Sequence, residues 1–132
     1  MSVMRTAAIL EHELNDVLKP SGLTLTQYNV LRILRGAGEK GLCGREVGER
    51  LISAVPDVSR LLERMEDVGL ISRERDGSDR RHVTARLAEQ GRRLLETVTP
   101  GLEAVERARF GRLSESTLQA MITSLAQVRE NP

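Results

Sequence analysis

Apolar residues recur along this chain with a helical period over most of its length and with a two-residue period in one short stretch. At residues 3–18, Val3, Ala7, Leu10, Leu14 and Val17 follow alternate steps of four and three, which predicts a helix with a seam-like stripe. Pro20 and Gly22 end it. Thr24-Leu25-Thr26-Gln27 has the form of a capping box, in which the Thr24 hydroxyl caps and Gln27 reaches back. The helix it opens carries Tyr28, Val30, Leu31, Ile33 and Leu34 and stops near Gly36. Residues 37–41 read as a flexible loop. A third helix starts at Cys43-Gly44-Arg45-Glu46, with Glu46 at its third position and Val47 and Leu51 inward. Cys43 stands where a capping Ser or Thr is usual. Ser53 is expected to cap a fourth helix from Ala54, with Pro56 tolerated in a first turn whose amides lack partners. Val55, Val58, Leu61, Leu62, Met65 and Val68 form its core face, and Gly69 ends it.

Beyond Gly69 the period changes. His82, Thr84 and Arg86 alternate with Val83, Ala85 and Leu87, which predicts a strand with one buried face. Residues 71–75 are its partner, and Asp76-Gly77-Ser78 turns between them. A long helix follows from about Glu89, with Leu94, Leu95, Val98, Leu102 and Val105 inward and a bend expected at Pro100. Ser114 caps a last helix bearing Leu118, Met121, Ile122, Leu125 and Val128. The fold class expected is mainly α with a small β-hairpin.

With 132 residues the chain has the length of a single domain, 1–132. Its core must be aliphatic, since Tyr28 and Phe110 are the only aromatics. Lys and Arg total 20 against 19 acids, so the sum gives no strong basic excess. Distribution says more. From Arg73 to Arg93 there are seven arginines (73, 75, 80, 81, 86, 92, 93) and four acids (Glu74, Asp76, Asp79, Glu89). A general preference for Arg over Lys would explain the count, but not the placement around a hairpin tip. Cys43 is the only cysteine, which excludes an intrachain disulfide and fits a reducing cytosol. No apolar run reaches membrane-spanning length and no signal-peptide core is present, so a cytoplasmic location is expected.

A helix with a polar leading turn followed at once by an arginine-rich hairpin is the layout of a winged helix-turn-helix head, in which the helix enters a major groove and the hairpin reaches a neighbouring groove. On the fourth helix, positions 56, 57, 60 and 64 point away from the core stripe. Arg60 is the base-reading candidate, able to bond bidentately to guanine; the alternative is a solvated pair with Glu63. Arg64 suits a phosphate. Pro56 can touch a thymine methyl, and Ser53 and Ser59 complete the candidate face, Ser59 toward phosphate. Asp57 would repel phosphate and must face cytosine amino groups or its own helix N-terminus. In the hairpin, Arg80 or Arg81 is expected in the minor groove, with Asp79 orienting one of them. Arg73, Arg75 and Arg86 are candidate phosphate contacts.

The element order and several motifs resemble the multiple-antibiotic-resistance regulator (MarR) family of bacterial winged-helix repressors. The most specific is DRR at 79–81, followed by Leu87 and Gly91, which is similar to the family's wing pattern. LTLTQYNVLRIL (23–34) and LISAVPDVSRLLERMEDVGLI (51–71) are similar to its second helix and its recognition helix. One departure is Ala88, where the family usually has a capping Thr; the other is Cys43 in a capping position. The resemblance implies a DNA-binding head at 23–87 and helical dimerisation regions at 1–20 and 89–130. It implies a homodimer acting as repressor on a pseudo-palindromic operator in double-stranded DNA. Relief by a small lipophilic or phenolic effector is implied too, with Leu14, Val17, Tyr28 and Leu31 as candidate pocket liners. No cofactor is expected.

Rival readings are weaker. A winged-helix protein that docks proteins would not need arginines at the hairpin tip. An enzyme is not expected: neither His12 nor His82 has a suitably spaced acid, no glycine-rich phosphate loop follows a strand, and no serine lies in a nucleophile elbow. Metal binding is disfavoured because His12, Cys43 and His82 fall in three different elements. Cys43 at a helix N-terminus near Arg45 would permit redox sensing, but an incidental small residue is the favoured reading.

Overall fold

In a computed structural model of the chain, residues 1–75 and 82–130 are described. The chain separates into two compact units, Met1–Thr99 and Pro100–Pro132. The first holds helix α1 (Ser2–Leu18), helix α2 (Leu25–Ala37), strand β1 (Leu42–Cys43), helix α3 (Gly44–Arg50), helix α4 (Val58–Asp67), and strands β2 (Ile71–Arg75) and β3 (Val83–Leu87). Helix α5 (Glu89–Phe110) starts in the first unit and ends in the second, which also holds helix α6 (Glu115–Glu130). The mainly helical fold class is as the periodicity predicts.

Local chemistry accounts for most boundaries. The Thr24 box is reciprocal: Thr24 Oγ1 accepts the Gln27 N–H and Gln27 Oε1 accepts the Thr24 N–H, both at 3.1 Å. At the start of α3 the Cys43 N–H donates to Glu46 Oε1 at 3.1 Å, so half of a capping box is made by the glutamate. Ser114 Oγ accepts the Thr117 N–H at 3.1 Å and opens α6.

Helix α4 begins later than expected. Its cap is Asp57, whose Oδ1 accepts the Arg60 N–H at 3.0 Å, and not Ser53. Pro56 disfavours helical backbone at Val55, and Asp57 is a strong cap, so residues 53–56 stay outside the helix. Of the expected recognition-helix residues, Ser53, Pro56 and Asp57 therefore precede the helix proper. The other end is a Schellman turn: Gly69, at φ 81°, donates to the Glu66 carbonyl at 2.9 Å, and Leu70 N–H donates to the Met65 carbonyl at 3.0 Å. Val68, expected on the core face, is thereby turned outward and is 58% exposed.

Among the described residues the sheet has three strands, not two, in the order β1-β3-β2 and antiparallel throughout. The expected loop at residues 37–41 includes a 3-10 turn, Gly38–Lys40, and delivers Leu42 and Cys43 opposite Ala85 and Thr84. Gly41 makes this approach feasible, because a Cβ there would stand 2.6 Å from the Ala85 carbonyl oxygen. With a neighbour on each side, β3 is central and Thr84 is buried, where simple alternation placed it outside.

The core of the first unit is aliphatic, with Leu18, Val30, Leu31, Leu34, Val47, Met65 and Leu95 fully enclosed. Helix α2 packs on β3, α3 on α4, and α4 on β2. Leu70 ties the head to the start of α5: its carbonyl accepts the Ala88 N–H at 3.1 Å, and Gly91 lies directly against it.

Candidate nucleic-acid interface

The solvent face of α4 is polar along its whole length. Asp57, Ser59, Arg60, Glu63, Arg64 and Asp67 line an open depression of about 500 Å³. Leu62 and Met65 on the opposite face are buried, which fixes that polar row outward. Arg60 and Arg64 are exposed, and neither makes an ion pair among the described residues. The solvated Arg60–Glu63 pair is not formed, so the Arg60 guanidinium is available to an acceptor in a groove.

A second groove, of about 580 Å³, lies between the N-terminal ends of α3 and α4 and the sheet. Pro56, Asp57 and Ser59 form one wall, and Arg73, His82 and Val83 another. The polar leading turn of α4 and the strands of the hairpin thus open onto the same concavity. Ser53 is exposed just ahead of it. Asp57 is occupied by its own helix N-terminus, one of the two roles open to it in the sequence.

The hairpin arginines fall into distinct environments. Arg73 is held by Glu66, with Nη2 to Oε1 at 3.1 Å, and its side chain is only 24% exposed. Arg86 donates through Nε to the Glu39 carbonyl at 2.7 Å and pairs through Nη1 with Glu74 at 3.3 Å. Arg75 is exposed and makes no ion pair among the described residues. Arg92 and Arg93 both approach Glu89, at 3.7 and 3.4 Å. Asp79, Arg80 and Arg81 lie outside the described residues.

Sequence reading missed two functional supports. Glu66 lies seven residues before Arg73, and only the Gly69 reversal brings the two together. Asn29 Oδ1 accepts the Ile52 N–H at 2.8 Å and so anchors the turn between α3 and α4 to α2. The carboxyl of Glu46 is held below the usual carboxylate range, first by the Cys43 backbone N–H, then by the Cys43 side chain and the nearby Arg50 and Arg45. The candidate effector liners are all in the first unit: Leu31 is fully buried, and Leu14, Val17 and Tyr28 are half-buried.

A family model described as MarR family matches residues 21–82. The transcriptional regulator HosA of Escherichia coli O157:H7 is 33% identical over 104 residues, 79% of this chain and 71% of the relative. This chain belongs to the MarR family. It is a DNA-binding winged-helix transcription regulator and not an enzyme. Among solved structures, the S. aureus MepR–DNA complex superposes with a TM-score of 0.85 at 25% identity, over 96% of this chain and 92% of that one. CouR from Rhodococcus jostii RHA1, bound to p-coumaroyl-CoA, gives 0.81 at 26% identity, over 98% and 90%. CouR described as a transcriptional repressor and bound to a 23-mer DNA duplex gives 0.83 at 24% identity, over the same shares, a likeness of fold. Among the described residues no helix is long and apolar enough to cross a membrane.

Proposed function

We propose that this MarR-family chain is a homodimeric, cytoplasmic repressor that binds a pseudo-palindromic operator and is released by a small lipophilic or phenolic effector. The observation that carries the DNA reading is the exposed Arg60–Arg64 row on α4, which makes no ion pair among the described residues. Arg60 reads a base, and Arg64 and Ser59 hold phosphate. Pro56 and Ser53 approach the groove from the turn ahead of the helix. Arg75, together with Arg80 or Arg81, engages the flanking backbone and minor groove, with Asp79 orienting the tip. Arg73 and Arg86 brace the wing, the first through Glu66 and the second through Glu39 and Glu74.

The dimer is supported by apolar surface. In the first unit α1 exposes Val3, Met4 and Ile9; in the second, α6 exposes Met121, Ile122, Leu125 and Val128. Such surface on terminal helices calls for a partner, and a second copy is the simplest one. The head at 23–87 and the helical regions at 1–20 and 89–130 then act as one domain. Two recognition helices must lie about one helical turn of DNA apart, ~34 Å, to read successive major grooves. Repression and effector relief are supported by CouR, whose solved complexes include DNA and p-coumaroyl-CoA. Here the effector would lodge beside Leu14, Val17, Tyr28 and Leu31, and it releases DNA only if it prefers one spacing of the heads.

Arg60→Ala and Arg81→Ala test the reading face. Each is expected to weaken binding to the DNA upstream of the chain's own gene by about tenfold or more, with an unchanged melting temperature. Unaltered affinity in both variants would overturn the assignment.

A further inference from the structure

Glu66 sits in the last turn of α4, and Arg73 is the middle residue of β2. Glu66 Oε2 accepts the Arg73 backbone N–H at 3.0 Å, while Oε1 accepts Arg73 Nε at 3.2 Å and Nη2 at 3.1 Å. One carboxylate thus holds both the strand backbone and the guanidinium fork. The side chains are 36% and 24% exposed, against 75% and 61% for the Arg45–Glu49 pair on α3. An exposed pair of the second kind contributes little; a half-enclosed carboxylate with three donors is geometrically fixed. Among the described residues β2 is an edge strand, bonded to β3 alone, so the outward Arg73 N–H has no strand partner there and Glu66 supplies one.

We propose that Glu66 is a positioning residue for DNA binding: through Arg73 it locks the recognition helix to the wing strand so that both engage DNA as one rigid body. This rests on the DNA-reading role proposed for α4. Arg60 and Arg64 lie on the locked helix, and Arg75 lies two residues beyond Arg73 on the locked strand. If α4 could rotate against β2, a base contact and a backbone contact would compete instead of adding. The lock has a second effect. It neutralises Arg73, which would otherwise be one more sequence-blind phosphate ligand, and so favours operator over random DNA.

Glu66→Gln and Arg73→Lys in the full chain test this. The amide keeps an acceptor for the strand N–H but loses the charge; the lysine keeps the charge but loses the fork. Hydrogen exchange and melting are measured without DNA. Binding is measured by fluorescence anisotropy on the duplex upstream of the chain's own gene and on a shuffled duplex, across a salt series. Melting is expected to change little, while amides of residues 72–75 exchange faster in Glu66→Gln. Affinity for the upstream duplex is expected to fall by about tenfold in both variants, the scale of one lost base contact. Affinity for the shuffled duplex should hold or rise, with a salt slope steeper by about one ion. Equal losses on both duplexes with a lowered melting temperature would reduce the pair to a structural brace and overturn the proposal. So would unchanged affinity on both. If the unaltered chain fails to distinguish the duplexes, the operator reading itself fails, and unaltered exchange at 72–75 would then separately refute the lock.

Discussion

Gly91 shows how much one hydrogen can matter at the residue scale. A methyl group there would collide with the Leu70 carbonyl oxygen and crowd the Leu87 side chain. Leu70 also accepts the Ala88 N–H, so the collision falls on the joint between the head and α5. Gly91→Ala is expected to destabilise the chain by roughly 1–3 kcal/mol, seen as a lower midpoint in denaturant melts. Glu46 carries a pH prediction. Its folded carboxyl is held low, chiefly by the Cys43 backbone N–H. The stability it contributes is therefore present above the unfolded carboxylate range and is lost as pH falls through the depressed folded value. Glu46→Gln should flatten the acid limb of the stability profile; parallel profiles for the two proteins would contradict this. Residue-scale features were unevenly legible. Arg60 stood out because no core position claims it. The Glu66–Arg73 pair did not, because it depends on a chain reversal at Gly69 that spacing alone does not convert into contact.

At the scale of elements, caps set the boundaries, and they explain both the successes and the errors of sequence reading. The box at Thr24 and the cap at Ser114 are local devices and could be read directly. The start of α4 involved a competition between Ser53 and Asp57, which Pro56 settles by constraining Val55. Strand β1 was invisible because two residues carry no periodicity; only the close approach permitted by Gly41 creates it. Helix α5 begins after Ala88, whose carbonyl accepts the Arg92 N–H at 2.9 Å but whose side chain can cap nothing. Ala88→Thr is expected to stabilise the chain by about 1 kcal/mol, and Thr24→Ala to destabilise it by a similar amount. Calorimetric melting checks both. Neither change touches the exposed face of α4, so DNA affinity at low temperature should be unaltered.

For the whole molecule, the pattern of exposed apolar residues connects fold to function. A stripe such as Val3-Ala7-Leu10-Leu14-Val17 was visible in the sequence. That Val3 and Ala7 stay exposed while Leu10, Leu14 and Val17 are half-buried required the structure. On α6, Ile122 is 60% and Val128 71% exposed. If α6 forms the proposed dimer interface, Ile122→Arg is expected to shift the chain from dimer to monomer in light scattering and to abolish tight operator binding, since one head makes only half the contacts. An unchanged mass and unchanged operator binding in the variant would contradict a dimer interface on α6. Overall charge is nearly balanced, at +1, so affinity for DNA must come from a local arrangement and not from net attraction. The most direct test is therefore an anisotropy titration of the chain onto its own upstream DNA and onto a shuffled duplex across a salt series. Tight binding to the first, weaker binding to the second, and a steep loss of both with salt are expected for a winged-helix regulator reading an operator. Equal affinity for the two duplexes at every salt concentration would contradict sequence-specific reading by α4.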